Sequence, residues 1–134
     1  GRRSVYIEVR RNFLSPFMVA FDTPPPASTT GRRNVSNVPA QALIMMNDPF
    51  VFEQCHRWAK RALAEADRSP EARIKLLYLT AFNRSPSVEE LNVATAFLTE
   101  QAKNYGNEID IDDVRLWTDL CHVLVNVKEF VFIQ

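Results

Sequence analysis

Apolar residues recur every three or four positions through the second half of the chain, and this spacing predicts amphipathic helices. The first predicted helix runs from Pro49 to about Asp67, and three more begin near Ser69, Ser87 and Asp110. Charged and polar residues fill the positions between, so each helix has one face for a core and one for solvent. The apolar stripes are Val51, Cys55, Trp58, Ala59, Ala62, Leu63 and Ala66; Ile74, Leu77, Tyr78, Ala81 and Phe82; Leu91, Ala94, Phe97, Leu98 and Ala102; and Val114, Trp117, Leu120, Cys121 and Leu124.

Local start and stop signals agree with this spacing. Asp48, Ser69 and Ser87 each stand where a capping side chain is expected, and proline follows the first two in the first turn. Gly106 is expected to end the third helix, and Asp110 to cap the fourth.

An additional short helix is predicted just before these four. Pro39 fits its first position, and the residues up to Met46 are apolar on nearly every side, so the helix should be buried. Gln41 inside it needs hydrogen-bond partners, which we expect in the backbone of residues 34–37. The alternative is that Gln41 is presented to a ligand.

The two ends of the chain are less regular. Residues 2–13 are predicted to be helical because Val5, Val9 and Phe13 share one helical face. Residues 22–38 are rich in proline, serine and threonine and are expected to form a long ordered loop. The apolar tail, residues 127–133, is expected to return to the core as an extended piece.

These elements define an all-α fold, namely a small irregular bundle of about four longer helices with short N-terminal helices and a long loop. The length of 134 residues suits a single domain, residues 1–134, with residues 39–134 as its helical core. The formal net charge is zero, which argues against nucleic acid as a partner. No apolar run is long enough to span a membrane.

Two Cys-His dipeptides, Cys55-His56 and Cys121-His122, supply the ligand types of a zinc site. Adjacent helical residues diverge by about 100°, however, which disfavours the binding of one ion by both members of a pair. Both cysteines lie on apolar stripes, so buried thiols are expected, with a Cys55–Cys121 disulfide as the alternative. Neither dipeptide completes a C-x-x-C-H haem attachment motif. We therefore predict no metal site, no cofactor and no catalytic residue in this chain.

An acidic run of Glu108, Asp110, Asp112 and Asp113 precedes the last predicted helix. Carboxylates at this density suit calcium, but the run lacks the turn glycine and the closing glutamate of an EF-hand loop. We expect these side chains to cap the helix and to complement its dipole.

Arg32, Arg33 and Asn34 are the main binding candidates. They follow a stiff proline segment and stand beside a glycine, which suits an exposed fork for carboxylate, sulfate or phosphate. The alternative is that Arg33 is bound internally, by backbone carbonyls or by Asp48 or Glu129.

Four segments, in order along the chain, resemble a known family. They are RRSVYIEVRRN, RRNVSNVPAQALIMMNDPFVFEQ, RIKLLYLTAFNRSPSVEEL and DLCHVLVNVKEFVFI, with a proline-rich linker after FD between the first two. The chain resembles the C-terminal part of planctomycete-specific domain one, a domain of unknown function in large secreted proteins that often contain a cytochrome-c-like domain. The positions that carry the resemblance are Arg33, Pro39, Gln41, Ala42, Leu43, Asn47, Asp48, Pro49, Arg84, Pro86, Glu90, Leu91, Asn126, Glu129 and Phe130.

The resemblance implies an exported protein, periplasmic or extracellular, and no established activity. It also implies that the partners are the N-terminal half of the same domain and neighbouring cytochrome-c-like domains, with haem c in such a neighbour only. Our first hypothesis is a non-catalytic helical module that packs against these domains. The alternative is part of an exported redox or polysaccharide-processing enzyme, with Arg32, Arg33 and Asn34 lining an anion-binding cleft that takes anionic polysaccharide.

Overall fold

The computed structural model describes residues 6, 8, 14–24, 31, 38–106 and 110–131. Throughout these residues the regular structure is helical, which confirms the all-α prediction. The helices are α1 Pro16–Ala20, α2 Val38–Asn47, α3 Pro49–Glu65, α4 Pro70–Phe82, α5 Val88–Tyr105, α6 Val114–Val125 and α7 Lys128–Val131. None of them is both long and apolar enough to cross a bilayer.

The chain divides into two compact units, Gly1–Met45 and Met46–Gln134. The prediction of a single domain over residues 1–134 stays a prediction. In the first unit, α1 begins directly after Ser15 with proline at its first position, and the rings of Phe17 and Phe21 lie 4.9 Å apart. The helix predicted over residues 2–13 and most of the loop predicted over residues 22–38 lie outside the described residues.

Helix α2 begins one residue before Pro39 and ends immediately before Asp48, close to the predicted bounds. Its predicted burial on most sides is not observed, because Leu43 and Met46 are 63% and 59% exposed. A helix with apolar side chains around its whole circumference leaves some of them exposed whenever only part of that circumference is packed.

The starts of α3, α4 and α5 follow the predicted capping chemistry. The Phe50 N–H donates to Asp48 Oδ1 (2.8 Å), and the Ala72 N–H donates to the Ser69 hydroxyl (3.4 Å). Ser87 forms a full capping box with a glutamate three residues later. Proline in the first turn of α3 and α4 fixes the backbone where its missing N–H costs nothing.

Helix α6 begins three residues later than predicted. Its capping residue is Asp113, whose Oδ1 accepts from the Arg115 N–H at 2.9 Å. Asp110 instead accepts from the Asp112 N–H at 2.9 Å, within the turn that precedes the helix. The tail also differs from the prediction, since Lys128–Val131 forms the short helix α7 rather than an extended piece.

The core of the second unit is built around α3 and α6, which pack against each other more extensively than any other described pair of helices. Trp117, Cys121 and Cys55 are at most 2% exposed, as are Ile74 and Leu77 of α4. All five lie on predicted apolar stripes, so helical spacing identified the centre of the core correctly.

Candidate functional site

The predicted anion-binding segment, Arg32, Arg33 and Asn34, lies outside the described residues, and its role stays a prediction. Gln41 is described: it lies in the first half of α2 and is half-buried. Its expected partners, residues 34–37, lie outside the described part of the chain.

The two Cys-His dipeptides lie on opposite sides of the α3–α6 contact, but each histidine is directed to a partner other than its neighbouring cysteine. Cys55 and Cys121 are buried, free thiols. Burial raises the pKa of Cys55 to about 11, and burial, followed by the nearness of Cys55, raises the pKa of Cys121. The ring of His122 meets Phe52 edge-on, with 6.2 Å between the ring centroids.

His56 has a defined hydrogen-bonding role between the same helices. Its Nδ1 lies 3.2 Å from the Thr118 hydroxyl oxygen, and this hydroxyl donates its proton to the Val114 carbonyl (2.7 Å). Because a hydroxyl has one proton, His56 is the donor in the contact with Thr118. Within the described residues no three His, Cys, Asp or Glu side chains are grouped to hold a metal ion.

Arginine side chains hold two aspartates of the acidic run, and one of these aspartates caps α6. Asp112 lies 2.6 Å from Arg73 Nη2 and 3.4 Å from Arg68 Nη2, and Asp113 accepts from both the backbone and the guanidinium of Arg115. These hydrogen bonds lower the pKa of both aspartates. Glu108 lies outside the described residues.

Arg73 is a buried cation that the sequence analysis missed. Its side chain is 2% exposed, and it donates to the carbonyl of Ile111 (2.9 Å) as well as to Asp112. One signal was available, since Arg73 stands four residues before Leu77 and therefore lies on the apolar stripe of α4.

The most highly connected polar cluster is centred on Arg84, just after α4. Its Nη1 and Nη2 donate to Glu90 at 2.8 and 2.7 Å, and its Nε and Nη2 donate to Glu129 at 2.8 Å each. A further bond from Nη1 to the Ser85 carbonyl (3.2 Å) engages the fifth N–H of the guanidinium. Glu90 is itself fixed in the capping box, where it accepts from the Ser87 N–H at 2.7 Å. One arginine thus joins the ends of α4, α5 and α7.

Two aromatic rings lie near the same guanidinium. The Arg84 Cζ lies 5.7 Å from the ring centroid of Tyr78 and 5.6 Å from that of Phe82, which is within cation–π range. The hydrogen bonds from Arg84 lower the pKa of Glu90 to about 2 and lower that of Glu129 as well. They also raise the pKa of Arg84, so the cluster is fully charged at neutral pH.

An open groove of about 540 Å³ lies beside the first turns of α3. Its apolar lining is Met46, Pro49 and Phe52, and its polar lining includes Asp48, Glu53 and His56. Met46 and Phe52 are 59% and 51% exposed. A larger groove along α5 is lined mainly by polar side chains such as Thr95, Thr99 and Lys103. Large apolar side chains that stay half-exposed beside a concavity are typical of a surface that another protein covers.

A family model described as PSD1, protein of unknown function (DUF1553), matches residues 1–98. Because this match covers most of the chain, the chain belongs to that family, and the resemblance to planctomycete-specific domain one is confirmed. Arg84 and Glu90 lie within the matched residues, and Glu129 lies beyond them. Neither a curated protein nor a solved structure matches the chain.

Proposed function

We propose that this chain is a non-catalytic helical module of an exported protein, and that it packs against other domains of that protein. One observation carries the proposal. Met46, in the last turn of α2, and Phe50 and Phe52, in the first turn of α3, are 59%, 54% and 51% exposed, although large apolar side chains are costly to expose to water.

The chemistry of the described residues supports a structural role. Arg84 has all five N–H groups engaged, and Arg73 is held by a carbonyl and a carboxylate. The thiols of Cys55 and Cys121 are buried with raised pKa values, whereas a nucleophilic cysteine needs a lowered pKa and access to solvent. The two arginines thus connect parts of the fold, and the two thiols are packed in the core.

The partners proposed for this surface follow from the family resemblance. They are the N-terminal half of the same domain and neighbouring cytochrome-c-like domains in an exported polypeptide. The groove beside α3 suits such a partner because it is open and is lined by both apolar and acidic side chains.

Hydroxyl-radical footprinting tests the proposal directly, by comparing the isolated chain with the same chain inside its parent polypeptide. We expect Met46, Phe50 and Phe52 to be labelled in the isolated chain and protected in the parent. Leu79 and Val93, which are 53% and 69% exposed on α4 and α5, serve as internal references whose labelling should not change. Equal labelling of Met46 and Phe52 in the two contexts would disprove the proposal.

A pair of variants sharpens this comparison. Phe52→Ser should abolish the protection of Met46 in the parent, because it removes an aromatic side chain from the groove. Leu79→Ser removes an equally exposed apolar side chain from α4 and should leave that protection intact.

The alternative is an enzyme with an anion-binding cleft at Arg32, Arg33 and Asn34. A different variant, Arg33→Ala, distinguishes this alternative from the structural role. If Arg33 is bound internally, Arg33→Ala lowers the melting temperature of the chain and leaves anion binding unaffected. A loss of sulfate or anionic-polysaccharide binding at unchanged melting temperature would favour the enzyme hypothesis instead.

A further inference from the structure

Arg84 has two carboxylate partners, and they differ in how firmly they are held. Glu90 belongs to the long helix α5 and is fixed by its capping box, in which the Ser87 N–H donates to it and its own N–H donates to the Ser87 hydroxyl. Glu129 belongs to α7, which is four residues long and has no buried residue.

Among the described residues α7 also contacts α4 and α6, but it contributes no buried residue to either contact. A helix of one turn has almost no intrinsic stability. Its apolar side chains are largely outside the core, since Val127, just before α7, is 39% exposed and Phe130 and Val131 are 42% and 38% exposed. The ion pair between Glu129 and Arg84 is also more than one-third exposed on both sides, so salt screens it. Judged by the contacts of the described residues, opening of α7 therefore costs less than opening of the core.

Arg84, in contrast, keeps its position when Glu129 leaves. Its Nη1 and Nη2 remain bonded to Glu90, its Nη1 also remains bonded to the Ser85 carbonyl, and its guanidinium carbon lies near the rings of Tyr78 and Phe82. The N–H groups that Glu129 vacates, on Nε and Nη2, form one edge of the guanidinium and match the two oxygens of a carboxylate.

We propose that Arg84, Tyr78 and Phe82 form a carboxylate-binding site, which Glu129 occupies as an exchangeable internal ligand. An acidic segment of a partner protein displaces Glu129 when α7 lifts. Because two aromatic rings adjoin the guanidinium, the preferred ligand is a Glu or Asp with a large apolar neighbour, as in the Glu129-Phe130 pair of the chain itself. This site is separate from the groove beside α3, and the inference stands whether or not that groove is covered.

The site is tested by NMR on the Arg84 Nε–H signal and on amide exchange in α7. The probe is the acetylated and amidated peptide of residues 127–131, Val-Lys-Glu-Phe-Val, with its Glu→Gln counterpart as the matched control. In the Glu129→Gln chain we expect faster exchange in α7 and a displaced Arg84 Nε–H signal. The Glu peptide should restore that signal, and the Gln peptide should bind about tenfold more weakly, since a charge-assisted hydrogen bond is worth roughly one decade in Kd. Lys128→Gln changes a charge on α7 without touching Arg84 and should leave the signal unchanged.

A second measurement uses the unaltered chain and does not depend on how the variant folds. Added Glu peptide should accelerate amide exchange in α7 by displacing it, and the Gln peptide should need about ten times the concentration for the same acceleration. The proposal is overturned if the two peptides act alike, or if Glu129→Gln leaves both α7 and the Arg84 signal as they were. Equal peptide affinity after Arg84→Lys, which keeps the charge but removes the planar fork, would likewise exclude Arg84 as the receptor.

Discussion

Arg73 and Trp117 donate hydrogen bonds to the same backbone carbonyl, that of Ile111, from Nη1 at 2.9 Å and from Nε1 at 2.8 Å. Their side chains also stack, with the Arg73 Cζ 5.4 Å from the Trp117 ring centroid. Both side chains are almost fully buried, so the carbonyl, the cation and the indole form one unit that fixes the turn before α6 against α4.

Replacing Arg73 with methionine keeps much of the apolar stem but removes the cation and its hydrogen bonds. We expect the free energy of unfolding to fall by about 2 to 3 kcal/mol, because hydrogen bonds from a charged donor are lost at a buried position. Urea denaturation followed by the combined fluorescence of Trp58 and Trp117 measures this change. Arg68→Met is the matched control: Arg68 also lies beside Asp112 but is 87% exposed, so its loss should cost less than about 0.5 kcal/mol. Equal losses for the two variants would contradict the role of Arg73.

Cys55 and Cys121 should resist thiol reagents in the folded chain at pH 8. Burial raises the pKa of Cys55 to about 11 and raises that of Cys121 as well. The reactive thiolate form is therefore scarce in the native state. A colorimetric disulfide reagent should therefore react slowly with the native chain and at once in urea. Two thiols counted in urea without reductant would confirm free cysteines, and none would confirm the disulfide alternative.

The predictions that the structure confirms are those that rest on residues close together in the sequence. Asp48, Ser69 and Ser87 cap their helices within three residues of themselves, and helical spacing identified Cys55 and Trp117 as core positions. The capping residue of α6 could not be chosen from the sequence, because two aspartates three residues apart, Asp110 and Asp113, are both suitable. The later one, Asp113, takes that position, while Asp110 closes the preceding turn.

The features that sequence reasoning missed are non-local. Arg84 and Glu129 are 45 residues apart, and Arg73 and Asp112 are 39 apart, so no periodicity within a helix connects them. The family positions did include Arg84, Glu90 and Glu129, but the sequence alone assigned them to separate turns and helices rather than to one cluster. Which carboxylate an arginine reaches depends on how whole helices pack, and that is set by the core rather than by the charges.

The Arg84 cluster should make the chain less stable in acid. The pKa of Glu90 is lowered to about 2 from its ordinary 4.5, chiefly by the Arg84 hydrogen bond, and that of Glu129 is lowered by the same arginine. The unfolded chain therefore binds more protons than the folded chain between pH 4.5 and about 2. The stabilisation from these carboxylates is fully present above pH 4.5 and is lost as the pH falls through this window.

Glu90→Gln removes the titrating group, so its melting temperature should lie below that of the unaltered chain at pH 6 and should fall less steeply between pH 4.5 and 2.5. The difference at pH 6 reflects both the lost pairing with Arg84 and a weaker capping box at Ser87. Both hydrogen bonds lower the pKa of Glu90, and the one from Arg84 makes the larger contribution to the pH dependence. Glu89→Gln, at the exposed neighbouring position, should keep the full acid slope. Thermal melts by circular dichroism across this pH range compare the three chains. Parallel curves for Glu90→Gln and the unaltered chain would show that the acid sensitivity arises elsewhere.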